Sequence, residues 1–174
     1  MSTELQFISR TEATGVTSVS ITDCFTFDYE VFVINIEDMI FSSRNAINLR
    51  FIDNSGSVIS DAEYDRAQLQ LRNDSSFSET NATGETSLSS ITSSSGGSDE
   101  FGGTWIQVYN PNISSAFTFV TCQSSAYYDI VTGDLLGYKY IGVHKNAETL
   151  KGFQLLHAGG VNFEPIKVNV FGVG

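Results

Sequence analysis

The chain has 174 residues, of which 41% are hydrophobic and 17% are charged. This length is typical of one domain, and a folded chain of this size buries roughly 70% of its unfolded surface, so it can build a core without disulfides or metals. The formal net charge is −11, and no segment clusters more than two basic residues. Because phosphate contacts require Lys and Arg, the composition argues against nucleic acid as a partner and against anionic membrane surfaces.

The N-terminal segment is polar and has neither the basic n-region nor the apolar h-region of a signal peptide. No apolar run approaches the roughly 20 residues of a spanning helix, so we expect no membrane insertion and synthesis in a cytoplasm. Residues 1–15 carry Leu5, Phe7 and Ile8 in polar surroundings. This pattern predicts an N-terminal arm that lies on a neighbouring molecule.

Period-two alternation dominates residues 16–174. The segment AINLRFI at 46–52 places three apolar side chains on one strand face and polar ones on the other, and an Asp-Asn-Ser-Gly turn follows it. Further strand candidates are 19–27, 29–36, 68–72, 104–109, 117–123, 138–144, 153–157 and 166–171. About nine short strands predict a single all-β domain, an antiparallel β-sandwich of jelly-roll-like type. A helix over 61–71 is the alternative at that segment.

Residues 75–98 are mostly Ser, Thr and Gly, with Phe77, Leu88 and Ile91 as the only large apolar residues. Such a composition buries too little apolar area to offset its ordering entropy, which predicts a long surface excursion from the domain. A partner-contacting loop is the alternative interpretation. In either case Leu88 and Ile91 are expected to anchor a short strand.

The sequence offers little that could carry catalysis. Its only histidines, His144 and His157, are far from any thiol in sequence, and no GxSxG elbow occurs. Cys24 and Cys122 have no metal-ligand spacing and are expected to be buried thiols within strands. Three segments lack the calcium-loop spacing and are interpreted as turns: Asp53-Asn54, Asn73-Asp74 and Asp99-Glu100. We therefore predict no enzyme, no cofactor and no metal.

Aromatic residues are the remaining candidates for a binding role. Trp105 and Tyr109 share one strand face, opposite Ile106 and Val108, and a Tyr pair follows in a polar segment. Flat aromatic faces stack on sugar rings or on a protein partner, although they also fill cores and subunit interfaces. The candidate partner or glycan contacts are Trp105, Tyr109, Tyr127 and Tyr128.

The order of several short motifs resembles a known family. DYEVFVINI at 28–36, LRFID with an NSGS turn at 49–57, GTWIQVYNP at 103–111 and FTFVTCQSS at 117–125 precede a terminal strand. This order is similar to that of small structural proteins of phages that infect cyanobacteria and other aquatic bacteria. The chain departs from that pattern at 57–59 and at 168–173, where VNVFGV replaces an LYGI ending.

The resemblance implies a virion-associated β-sandwich without enzymatic activity, made in the host bacterial cytoplasm, with a trimer as the favoured homo-oligomer. Its partners would be the major capsid protein or tail proteins of the same particle. Because no coiled-coil, collagen-like or other repeat that could form a fibre shaft is found in the sequence, we expect a capsid decoration (cement) protein. The alternative is a tail-fibre or receptor-binding module for host surface glycans.

Overall fold

The computed structural model describes residues 4–41, 46–74, 77–93, 101–129 and 134–174. Within these ranges the chain forms twelve β-strands and no helix, and so no helix suited to crossing a bilayer. The strands are β1 (Leu5–Ala13), β2 (Ser18–Ile21), β3 (Val31–Phe41), β4 (Ala46–Asp53), β5 (Tyr64–Arg72), β6 (Ser78–Glu85), β7 (Leu88–Ser93), β8 (Phe101–Tyr109), β9 (Thr118–Asp129), β10 (Asp134–His144), β11 (Leu150–His157) and β12 (Phe163–Val173). The all-β prediction is confirmed, and the predicted count of about nine strands is wrong.

The strands form two antiparallel sheets. The larger sheet has the order β1-β12-β3-β8-β9-β10-β5-β6, and the smaller sheet has the order β2-β11-β4-β7. β7 of the smaller sheet lies against β9, β10 and β5 of the larger one. This sandwich-like arrangement of two sheets confirms the coarse architecture predicted from alternation.

The additional strands are edge strands with polar sequences. β1, within the segment predicted to be an arm, pairs with β12 from Leu5 opposite Val173 to Ala13 opposite Ile166. β6 has the sequence SETNATGE and pairs with β5, so part of the predicted excursion extends the larger sheet. β1 and β6 bury little side-chain area, so the alternation that identifies central strands is weak in both.

Two expectations for the middle of the chain have definite outcomes. Leu88 and Ile91 are fully buried in β7, which pairs with β4, so the predicted short strand is confirmed. The alternative helix over 61–71 is wrong, because residues 64–71 of this segment belong to β5 and pair with β10. Pairing with a neighbouring strand satisfies the backbone of each residue there, which overrides a weak helical pattern.

Side chains from both sheets meet in one core. The Cys122 thiol lies 3.3 Å from the Ile91 carbonyl oxygen of the opposite sheet, and the Thr92 and Thr104 hydroxyl oxygens are 2.9 Å apart across the same gap. Both cysteines are free and buried, as expected. Cys122 lies in β9, whereas Cys24 lies in the loop after β2, so the expected strand position is wrong for Cys24. β2 ends at Ile21, three residues before Cys24.

Candidate interaction surface

The larger sheet turns one face to the core and the other outward. In β8, Ile106 and Val108 are fully buried, while Trp105 on the opposite face is 40% exposed. Because side chains alternate along a strand, Tyr109 projects on the same side as Trp105. The structure thus confirms the predicted division of this strand into an inner and an outer face.

Apolar side chains continue across the neighbouring strands on this outer side. Tyr109 lies opposite Phe119 in β9, which lies opposite Val143 in β10. Ile141 lies two residues before Val143 on the same face of β10. It is flanked by Thr121 of β9 and Ala67 of β5 and is 58% exposed. Cross-strand pairs of this kind place large apolar side chains in contact with solvent and with one another.

We define the apolar outer face as the large exposed side chains that project outward from the eight-stranded sheet. They are Leu5, Phe7, Leu69, Leu71, Trp105, Phe119, Tyr127, Leu135 and Ile141. Large apolar side chains that stay exposed on one face of a sheet mark candidate sites of contact with a partner. The outer face is therefore the main candidate interaction surface of the described structure.

Two grooves differ in the chemistry they offer on this face. An apolar groove of about 380 Å³ is lined by Ala67, Tyr109, Phe119, Ile141 and Val143, among others. A polar groove of about 390 Å³ lies beside Trp105, and its lining includes Asn35, Gln123 and Ser125. The first fits an apolar protein surface, and the second combines an aromatic ring with amide and hydroxyl groups that can bind a polar ligand.

Three of the four predicted contact residues lie on one face but do not form one cluster. Trp105 and Tyr109 are four residues apart on β8, about 13 Å along the strand. Trp105 pairs with Gln123 of β9, and Tyr127 lies four residues beyond Gln123 in the direction away from Tyr109. The three aromatic residues therefore span about 26 Å. The side chain of the fourth, Tyr128, lies outside the described part of the structure.

The exposed apolar residues of β9 and β10 were not among the predicted contact residues. In FTFVTCQ at 117–123, Phe117 and Phe119 alternate with the buried Val120 and Cys122, so both faces of the strand carry apolar side chains. A strand that is apolar on both faces is typical of a sheet covered on both sides. That signal was present in the sequence, and it points to a second contact for the outer face.

Two of the three predicted turns lie within the described structure, and in both a polar side chain accepts hydrogen bonds from backbone amides. The Asp53 carboxylate accepts hydrogen bonds from the Ser55 hydroxyl at 2.6 Å, the Ser55 amide at 2.8 Å and the Ser57 amide at 2.9 Å. These bonds, the Ser55 hydroxyl above all, hold the pKa of Asp53 below its usual value. Asn73 accepts from the Leu135 amide at 2.6 Å. Residues 99–100, the third segment, are outside the described residues.

The two histidines are buried at strand ends, in different surroundings. His157 packs on Phe41 with ring centroids 4.5 Å apart, and its Nδ1 accepts from the Gly159 amide at 3.1 Å. His144 ends β10, and its Nε2 lies 3.1 Å from Glu63 Oε2 and 3.7 Å from Glu148 Oε1. No local pattern indicates this contact, because Glu63 precedes His144 by 81 residues.

The fold and the outer face together define the class of this molecule: an all-β protein of two antiparallel sheets whose larger sheet keeps an apolar side exposed. No protein-family model matches the chain, and no curated protein is significantly similar to it. The surface itself therefore carries the functional argument.

Proposed function

We propose that this chain is a non-enzymatic structural protein of a bacteriophage particle, and that it acts as a decoration (cement) protein on the outside of the head. The apolar outer face carries the proposal. A cement protein works by covering neighbouring subunits, and it needs a rigid body with an apolar contact surface and no catalytic group. The motif order at 28–36, 49–57 and 103–125 supports the same conclusion through its resemblance to small phage structural proteins.

The strand order supports a jelly-roll-like topology within this proposal. β5 pairs with β6, β4 with β7 and β2 with β11, so each pair encloses the previous one along the chain. The remaining pair of this nested series, β3 and β10, lies in one sheet with β8 and β9 inserted between its members. Nested pairs of this kind are how a jelly roll winds, and viral capsid proteins and lectins both use that architecture.

We propose that the outer face packs against further copies of the chain, with a trimer as the favoured assembly, and that the assembly binds the major capsid protein. Ile141 and Phe119 are central in the apolar groove, and large apolar side chains of this kind stabilise subunit interfaces when they are buried. The acidic charge of −11 then lies on the assembly's remaining surface, where it favours solubility.

The proposal is tested by mixing the purified chain with DNA-free heads of the phage that encodes it and counting bound copies. Saturation at a fixed ratio to the major capsid protein, with density on the outer shell in electron micrographs, is the expected result. Antibody labelling confined to tail ends would contradict decoration. The Phe119→Asp variant should fail to bind, whereas Phe27→Asp, which changes an exposed ring in the β2–β3 loop, should bind like the wild type.

A second candidate function is recognition of host surface glycans by a tail-fibre or receptor-binding module. The polar groove beside Trp105 favours it, because an indole ring with nearby Asn35 and Gln123 amides offers stacking and hydrogen bonds to a sugar. A glycan array probed with the labelled wild-type chain and with Trp105→Ala tests this function. Signals that vanish in the variant would support it, and an array without signal above background would contradict it.

A further inference from the structure

We propose that Glu63, His144 and Glu148 form a binding site for one divalent transition-metal ion, with Zn²⁺ as the best-fitting ion. One nitrogen and two carboxylate oxygens from these residues lie within 4.8 Å of one another. The site lies on the side of the molecule where three strand ends meet. Glu63 immediately precedes β5, His144 ends β10 and Glu148 lies shortly before β11.

The separations between the donor atoms suit a small tetrahedral ion. Metal–ligand distances of 2.0–2.2 Å place neighbouring ligand atoms of a tetrahedral zinc site about 3.3–3.6 Å apart. His144 Nε2 is 3.1 Å from Glu63 Oε2 and 3.7 Å from Glu148 Oε1, on either side of that range. The two carboxylate oxygens lie within 4.8 Å of each other, so rotation of the partly exposed glutamate side chains would complete the geometry, and solvent would supply a fourth ligand.

The three side chains differ in mobility: His144 is fixed by packing, whereas Glu63 and Glu148 are partly exposed and can adjust to an ion. The His144 side chain is fully buried, and its ring packs on Tyr64 and Phe51 with centroids 5.0 Å and 5.8 Å away. The side chains of Glu63 and Glu148 are 34% and 28% exposed, so the site opens to solvent through them. Backbone pairing joins the two sides of the site, because the Lys145 amide donates to the Glu63 carbonyl at 2.8 Å.

The charges at this place also favour a cation. Among the described residues, neither Glu63 nor Glu148 forms an ion pair with a lysine or arginine; the nearby Lys145 ammonium instead pairs with Asp65 at 2.8 Å. Two carboxylates thus converge on one imidazole nitrogen. The imidazole lies 3.1 Å from Glu63, and Glu148 Oε1 accepts a hydrogen bond from the Asn146 side-chain amide at 2.9 Å. A divalent ion would bind both carboxylates with a full charge in place of these weaker interactions.

The donor set selects among metals. An imidazole nitrogen with two carboxylates suits Zn²⁺ and its neighbours, whereas Ca²⁺ and Mg²⁺ prefer oxygen ligands alone. Coordination at Nε2 moves the ring proton to Nδ1, which has no hydrogen-bond partner among the described residues. A hydrogen-bond partner for the second nitrogen of a metal-bound histidine typically raises the affinity for the metal 10–100-fold. Because His144 lacks this partner, we expect weaker binding, with a dissociation constant for Zn²⁺ in the micromolar range.

The test is titration of the full-length chain, stripped with EDTA and exchanged into chelator-free buffer, with ZnCl₂ in a calorimeter. One equivalent bound, a melting temperature raised by about 5 °C at a hundredfold excess over the dissociation constant, and no response to CaCl₂ or MgCl₂ are expected. Titration with Co²⁺ should give the strong visible absorption of a tetrahedral site.

Variants separate this site from general attraction of cations to an acidic protein. Glu148→Gln and Glu63→Gln remove one ligand charge each at partly exposed positions and should weaken Zn²⁺ binding at least tenfold. Glu164→Gln removes the same charge outside the triad and should bind like the wild type. Circular dichroism checks that all three fold. The proposal would be overturned if the wild type bound no Zn²⁺ at millimolar concentration, or if the triad variants bound Zn²⁺ as well as Glu164→Gln does. The three residues would then have only a structural, hydrogen-bonding role.

Discussion

Tyr109 and Phe119 are cross-strand partners on the outer side of the larger sheet, while the adjacent pair, Val108 and Val120, lies in the core. Consecutive residue pairs of the same two strands therefore present apolar groups to both sides of the sheet. One side is covered by the smaller sheet. The other side is exposed in the isolated chain, and the proposed assembly through this face leads to the first two predictions.

Ile141→Asp is expected to convert the assembled wild-type chain to monomers. Ile141 is 58% exposed on the outer face and lines the apolar groove, and burying an unpaired carboxylate in an interface costs several kcal/mol. Light scattering coupled to size-exclusion chromatography measures the mass. Phe27→Asp is the matched control, because this ring is 82% exposed but lies outside the eight-stranded sheet, and it should keep the wild-type mass. An Ile141→Asp chain with the wild-type mass would contradict the proposed interface.

Trp105 should report assembly through its fluorescence. It is the only tryptophan in the chain and is 40% exposed before any partner covers it. Covering the indole with a neighbouring subunit removes water from the ring, so its emission should move to shorter wavelength as the protein concentration rises. In Ile141→Asp the emission should stay constant over the same concentrations. A concentration-independent spectrum in an assembling wild type would show that Trp105 lies outside the contact.

Gly152→Ala is expected to lower the free energy of unfolding by about 3 kcal/mol, because overpacking between paired strands forces the backbone apart. A Cβ atom at this position of β11 would collide with the carbonyl oxygen of Ile21 in β2. Urea unfolding followed by circular dichroism measures the effect. Gly174→Ala serves as the control, since its added atom would meet Tyr29 only at 3.8 Å. Equal stability of the two variants would contradict the close approach of β2 and β11.

Asp53→Ala should destabilise the chain at neutral pH and much less in acid. The folded-state pKa of Asp53 is depressed, mainly by the Ser55 hydroxyl, so its contribution is present above the unfolded-state pKa and is lost as the pH falls through the folded-state value. Because the carboxylate is exposed to solvent, the loss at pH 7 should be less than about 1 kcal/mol. Urea unfolding at pH 7 and pH 3 measures it. Asp61→Ala, which removes a nearby exposed carboxylate, is the control variant measured at the same two pH values.

The two thiols should be unreactive in the folded chain. Burial raises the pKa of Cys24 to about 12 and raises that of Cys122 as well. Little thiolate therefore exists at pH 8, and access is blocked. Titration with Ellman's reagent should find no reactive thiol in native protein and two after denaturation in guanidinium. A count below two in the denatured, unreduced chain would contradict the free state of both cysteines.

Strands with a buried face were predictable from the sequence, and strands without one were not. Segments such as 46–52 and 104–109 alternate clearly, because each has a fully buried inner face, and the structure confirms them as β4 and β8. β6 has no buried side chain in its pattern and was missed. Its position depends on backbone pairing with β5, to which any polar sequence without proline can contribute.

The candidate sites divide in the same way. The position of Trp105 on the face opposite Ile106 was predictable from period two alone, because alternation is a property of one strand, whereas its exposure was not. The groove that Phe119 and Ile141 share was not, because it depends on the register between β9 and β10. The contact of His144 with Glu63 was likewise not predictable, because it depends on the register between β10 and the start of β5.

The amino-acid sequence by itself determined that the chain is an all-β protein with most of its central strands in identifiable places, because side-chain alternation is local and repeats every two residues. The tertiary structure alone decided which strands are neighbours, which face of the larger sheet stays exposed and which carboxylates reach His144. Those relationships arise from pairings between distant segments, and many pairings are compatible with the same alternation until the core selects one of them.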